Sequence, residues 1–317
     1  MANLSETEIF RNGYSQNLDF MVDSYYRLSL VAVSVVVLFI NGISFLALIR
    51  TRHIPPTVKF MSTSLLAFDF VSTLIYTARK LIEHIAANLL LQYLAMGLNF
   101  LAYINIAIMS VERLVVFNWP NFYLRTVTFH TYKKFCFVVW ILYETAWLVD
   151  VGLCYVRVDD NDPGSHSIFT QVIERHVSIV YWGSTFVSCI CLFKVTSIIA
   201  KQSRKTGVKN SKSLQSNKAT IIVFICIINY LTTTTVSAIL AFTIARAYVR
   251  RFASDVLVLI NCLVDTCAYV LWFKECRMEL FKMFSWVSPS FVKKAEDLRV
   301  EVFDIMTYSN KREVDGN

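Results

Sequence analysis

Ser110-Val111-Glu112-Arg113-Leu114-Val115-Val116-Phe117-Asn118-Trp119-Pro120-Asn121-Phe122-Tyr123 closes the third of seven apolar runs and decides how the chain is read. An acid and an arginine stand side by side where apolar sequence gives way to polar, and a proline follows seven residues after the arginine. A snorkelling arginine at the end of a membrane helix is unremarkable by itself. Its setting makes it informative. Outward from this stretch, apolar runs occupy residues 28–49, 60–78, 86–111, 135–156, 177–193, 219–245 and 256–273. Each is close to the roughly 20 residues of helix that cross a bilayer. Pro55-Pro56, Pro120 and Pro163-Gly164 fall between runs, where helices stop.

Composition agrees with a membrane-embedded chain. Of 317 residues, 56% are hydrophobic and 17% charged, whereas soluble domains carry about 25% charged residues. Disordered, collagen-like and disulfide-scaffold classes are excluded. Seven of the eight cysteines, Cys136, Cys154, Cys189, Cys191, Cys226, Cys262 and Cys267, lie inside apolar runs and read as small buried hydrophobes.

Placing the amino terminus outside puts 22 of the 31 Lys and Arg on the cytoplasmic side and 9 outside. The positive-inside rule selects that orientation. Asn3-Leu4-Ser5, the one glycosylation sequon, falls in the outer tail and makes Asn3 the candidate glycosylation site. The stretch from Lys201 to Lys218 has six basic residues and no acid. Attraction to anionic inner-leaflet lipid accounts for it, with partner docking as the alternative. Nucleic acid is not an implied partner.

Polar residues within the runs carry the functional information. Asp69 is central in the second run and Asp265 in the seventh, at one membrane depth, with Asn41 in the first run and Asn261 one turn from Asp265 placed to bond to them. The four form either a packing cluster or a cation or proton site, for which a sodium ion is the candidate. Glu144, with Trp147 and Asp150 nearer the outer end of the fourth run, are candidate ligand-binding residues, or neutral groups bonded to a neighbouring helix.

These residues resemble the rhodopsin-like (class A) G-protein-coupled receptors from about Asn41 to Phe284. Glu112-Arg113-Leu114 is similar to the family's acid-Arg-aromatic motif, and Trp119 to Tyr123, with Pro120, to its second cytoplasmic loop. Ser64-Leu65 with Asp69, Asn41, Trp140 and Asp265-Thr266-Cys267-Ala268-Tyr269 resemble its motifs in the second, first, fourth and seventh helices. Phe273 to Phe281 looks like its eighth helix. The resemblance implies an all-α membrane protein, a seven-transmembrane helix bundle with a short cytoplasmic amphipathic eighth helix. Residues 1–27 would be an extracellular tail, 28–273 the bundle, 274–286 the amphipathic helix and 287–317 a cytoplasmic tail. It also implies a plasma-membrane receptor, not an enzyme, that binds an extracellular ligand of unknown class. Such a receptor engages a heterotrimeric G protein through Glu112, Arg113, Leu114, Pro120 and Tyr269. A transporter or channel using the mid-membrane carboxylates is the alternative.

The chain departs from the family pattern in several places. Asp265-Thr266 replaces asparagine-proline, and no run contains proline. Ile228-Asn229-Tyr230 stands where the family has a tryptophan-proline pair. Cys154 has no visible disulfide partner, and no acid between Lys201 and Lys218 can hold Arg113, which leaves Glu112 as its partner. Without the prolines, kinks would come from devices such as the Thr232 to Thr235 run bonding back to backbone carbonyls. The seventh run has no lysine, which excludes a retinal Schiff base.

The charge asymmetry predicts that an epitope placed after Ala2 binds antibody on intact cells and one placed after Asn317 only on permeabilised cells. Reversed staining would contradict the orientation.

Overall fold

Three helices start at prolines. Pro56 opens α2, Pro120 opens α4 and Pro289 opens α10, because the first turn of a helix does not need the N–H that proline lacks. The computed structural model describes residues 6–52, 54–82, 85–157, 175–206, 221, 224–229, 231–233, 235–236, 239 and 247–314. In order they form α1 (Glu6–Arg50), α2 (Pro56–Leu81), α3 (Ile85–Asn118), α4 (Pro120–Thr126) and α5 (Phe129–Arg157). A π-helical turn, Val177–Trp182, leads into α6 (Gly183–Thr206). α7 is described within Phe224–Thr233, and α8 (Ala247–Trp272), α9 (Lys274–Met283) and α10 (Pro289–Val314) complete the chain.

Length and apolarity suffice for crossing a bilayer at Ser24–Arg50, Pro56–Leu81, Leu90–Asn118, Phe129–Leu153 and Ile179–Lys201. The sixth run is described only in part. The seventh, Asp255–Val270, turns through 100° into Lys274–Met283. Phe273 makes that turn as a single extended residue, φ −88° and ψ 112°, and α9 occupies the place expected for the amphipathic eighth helix. Burial is inverted relative to a soluble protein. Val33, Val36 and Phe39 on α1, Ile141 and Leu142 on α5, and Phe186 and Phe193 on α6 are exposed, while Asn41, Asp69, Asn105 and Asp265 are fully buried. The first set faces lipid and the second faces the helix interior.

Two boundaries differ from the expected ones. α1 has no break between residues 27 and 28 but reaches back to Glu6, because the chain has no proline before Pro55 and only Gly13 before Gly42. At about 1.5 Å per residue its 45 residues exceed the roughly 30 Å of the lipid core, so the helix projects beyond the membrane. The tail after residue 287 is likewise structured, with α10 folding back on α9. Its buried Ala295 and Val302, seven residues apart, lie on one helical face.

α3 packs on α2 and α6, while α1 lies against α2, α8 and α9. Between α1 and α2 the Lys59 ammonium donates to the Ile49 and Thr51 carbonyls, groups left without partners where α1 stops. Cys136, Cys191, Cys226, Cys262 and Cys276 are buried and unbridged, but Cys189 is exposed toward lipid. The Cys154 side chain lies outside the described residues.

Gly97 of α3 faces the fully buried Trp147 of α5. A Cβ there would lie 2.9 Å from both Cδ1 and Nε1 of the indole. Gly97→Ala is therefore expected to destabilise the bundle by about 1–3 kcal/mol through overpacking. Gly152→Ala, which meets nothing within 4 Å, should be neutral or stabilising by up to about 1 kcal/mol. Thermal unfolding of the two purified variants checks the contrast.

Candidate functional site

At the C-terminal end of α3, Glu112 and Arg113 are each only 6% exposed. Arg113 Nη2 donates to Glu112 Oε2 at 2.7 Å and Nε to the same oxygen at 3.3 Å. The second carboxylate oxygen is also occupied, since the Tyr123 hydroxyl donates to Oε1 at 2.7 Å. Pro120 starts the short α4 that brings Tyr123 here, and the Tyr123 N–H bonds back to the Trp119 carbonyl at 2.9 Å. Burial, with the Glu112 charge second, pushes the Tyr123 hydroxyl up to about 12, so it stays protonated and donates. Leu114 is half-buried beside the pair. Trp119, Phe122 and Leu124 leave an exposed apolar surface around α4. One turn before Arg113, Met109 Sδ lies 4.0 Å from the hydroxyl of the buried Tyr269, which stacks on Phe273. Glu112, Arg113, Pro120 and Tyr269 are thus gathered at one end of the bundle.

The intramembrane residues also meet, through bonds other than those expected. Asp69 and Asp265 lie close enough for their charges to act on one another. Asn41, however, accepts from the Thr266 hydroxyl, and Asn261 accepts from Asn229 at 2.7 Å. The amide that reaches Asp265 Oδ1, at 3.4 Å, is that of Asn229. Asn261 and Asp265 stand one turn apart on one face of α8, and a single side chain from α7 spans both. Asp69 Oδ1 accepts a weak bond from Cys262 Sγ at 3.9 Å. Asp69 Oδ2 and Asn41 Nδ2 are buried without a hydrogen-bond partner. Thr233 donates to the Asn229 carbonyl at 2.9 Å, the back-bonding expected of its threonine run.

No protein-family model matches the sequence, and no curated protein aligns with it. Among solved structures the chain is similar to the crystal structure of squid rhodopsin, with a TM-score of 0.64 and 13% identity over 87% of this chain and 91% of that one. The fold is that of a rhodopsin. At this identity the likeness is one of fold, and it places the buried acid-arginine pair and the polar cluster inside a rhodopsin-like seven-helix bundle.

In that rhodopsin-like bundle the outer candidates form a packing seam. Trp147 Nε1 donates to the Tyr93 carbonyl at 3.1 Å, and Asp150 Oδ2 lies 2.9 Å from His176 Nε2. The His176 ring meets the Trp147 ring edge-on at 4.8 Å. Glu144 Oε1 is buried beside α3 without a partner. Among the described residues no three His, Cys, Asp or Glu gather into a metal-binding set.

Several participants escape reading from the sequence. Asn229 stands in the sequence where the family has its tryptophan-proline pair, and nothing there marks it as the partner of Asp265. Nothing flagged Tyr123 as the partner of Glu112. The ion pair between Lys80 of α2 and Asp255 of α8, at 2.7 Å, joins residues 175 positions apart, and no local pattern signals it. Asn3 and most of the Lys201 to Lys218 loop lie outside the described residues.

Proposed function

We propose that this chain is a plasma-membrane receptor, amino terminus outside, that answers an extracellular ligand by activating a heterotrimeric G protein at its cytoplasmic face. The observation that carries this reading is the buried Glu112–Arg113 pair held by Tyr123 where α3 leaves the membrane. Removing one member of a buried ion pair leaves an uncompensated charge and costs about 3–5 kcal/mol. Arg113 is therefore released only in a state that offers its guanidinium other acceptors. Five donors in a planar fork suit backbone and carboxyl groups of an inserted partner. The apolar Trp119, Phe122 and Leu124 around it supply contact area, and the membrane lipid surrounds the rest. The ligand enters from the outer side, where Glu144, Trp147 and Asp150 line the α3–α5 seam.

The mid-membrane cluster fits a sodium ion. Asp69 and Asp265 would hold it, and the Asp69 oxygen without a hydrogen-bond partner is available to it. The oxygen donor set suits a hard cation. The ion supplies positive charge between two carboxylates that otherwise repel. These same carboxylates support a second reading, a transporter or channel in which they relay ions. Nucleotide exchange on added G protein and ion flux in reconstituted vesicles separate the two readings.

Glu112→Gln is expected to raise ligand-independent nucleotide exchange about tenfold, the effect of about 1.4 kcal/mol on a two-state equilibrium. Tyr123→Phe, which removes one neutral donor worth about 1 kcal/mol, should raise it less. Arg113→Ala should reduce exchange at matched surface expression. Unchanged exchange in Arg113→Ala would shift the weight to the transporter reading.

Asp265→Asn removes one of the two repelling charges, so the gain in thermal stability on adding sodium or lowering pH should shrink. Asp69→Asn should act in the same direction. If neither variant, nor the pair, alters these dependences, the cluster serves packing alone.

A further inference from the structure

We infer that the second half of α10, residues 303–314, is a strap poised to close across the end of the bundle that carries Arg113 and Tyr269, and that an arriving G protein must displace it. The displacement rests on the proposed function. The placement of the strap rests on the fold alone.

α9 fixes the direction in which α10 runs. α9 leaves α8 at 100° and packs on α1, so it points from α8 toward α1. α10 returns antiparallel to it, because the Phe281 ring stacks on Phe291 at 5.7 Å while Lys274, at the start of α9, pairs with Glu301. At Glu301 α10 is already opposite the first residue of α9, yet the helix continues to Val314. At 1.5 Å per residue this remainder extends about 20 Å past α9. Its path leads away from α1, toward the helices on the other side of α8. Those are α7, whose Asn229 bonds to Asn261 and Asp265, and α3, whose Met109 meets Tyr269. Arg113 stands one turn beyond Met109.

The apolar period of α10 agrees with this path. Phe291, Ala295, Leu298 and Val302 recur every three or four residues, with Ala295 and Val302 buried, and form the seam against α9. In the sequence the period continues to Ile305, where α9 has no residue left to cover it. Among the described residues the second half of α10 has no extensive packing on another helix. Charge does not hold the strap, since Asp304 and Glu313 balance Lys311 and Arg312. Its root is fastened by an ion pair. The Lys274 ammonium, through its hydrogen bond, holds the Glu301 carboxyl below the usual range, so the root is fastened at neutral pH and loosens as pH falls.

The test uses the full chain, one per nanodisc, first without G protein. Amide exchange is followed over residues 303–314 and over α4 beside Arg113. The expected result is protection of 303–314 that falls about tenfold in Ile305→Asp and is indifferent to salt. Thr307→Asp, opposite in the helical period, should leave the protection as it is. Truncation after Val302 should speed exchange over α4. With G protein added, the truncated chain and Ile305→Asp should raise ligand-independent nucleotide exchange about fivefold. Native exchange across residues 274–301 verifies that the variants keep the α9–α10 pairing. The proposal is overturned if 303–314 exchange as an unfolded segment in the native chain, if Ile305→Asp acts no differently from Thr307→Asp, or if truncation leaves α4 unchanged. Protection that vanishes in detergent micelles, or that requires two chains per disc, also overturns it and assigns the face to lipid or to a second copy. Equal nucleotide exchange in all forms overturns the displacement and keeps the receptor reading. Protection as expected, with no form exchanging nucleotide, upholds the strap and counts against the receptor reading.

Discussion

Lipid offers a backbone amide no hydrogen-bond partner, and every feature of this chain follows from that constraint. A helix satisfies its own backbone, so the chain crosses as helices and changes direction only at the surfaces, where Pro56 and Pro120 start new segments and Phe273 breaks one. Side chains then inherit the opposite problem. Polar groups within the spans cannot reach water and must find one another, which is why Asn41 finds Thr266 and Asn229 bridges Asn261 and Asp265. The interior is therefore a polar seam inside apolar walls. The same pressure acts on Glu112, which uses both carboxylate oxygens, one for Arg113 and one for Tyr123.

Much of this was legible in the amino-acid order because the bilayer imposes a length and a polarity that can be counted. The seven runs, the acid-arginine pair at the end of the third and the central depth of Asp69 and Asp265 are properties of local sequence. Contacts between helices are not. Tyr123 reaches Glu112 because Pro120 starts a helix of about two turns at that angle, and Asn229 reaches Asp265 because α7 lies beside that face of α8. A polar residue in a run announces that it needs a partner without naming one. The fate of the two ends was also hidden. Residues 6–23 are too polar to register as a span yet contain little to stop a helix, and α10 has a period that identifies a buried face but not α9 as its cover.

The outer candidates show where a composition argument misleads. Glu144, Trp147 and Asp150 sit near the end of a span, where the sequence offered them as ligand-binding residues, but Trp147 and Asp150 bind α5 to its neighbours through Tyr93 and His176. Gly97 makes that seam possible by leaving room for the indole. A substitution at Trp147 would therefore disturb packing as well as any ligand contact, and the two effects share one residue.

The π-helical turn at Val177–Trp182 has a mechanical consequence for the span it begins. Each such turn takes up more residues than an α turn, so the residues above it are out of phase with those below. His176 faces the Trp147 ring on one side of the turn, while Tyr181 meets Tyr103 edge-on at 5.0 Å. Winding this wide turn tighter would rotate the start of the span about its own axis while its far end kept its facing. The surface at the start of the span can thus be retuned, by one inserted or deleted residue, without rebuilding the end that carries the Glu112–Arg113 pair.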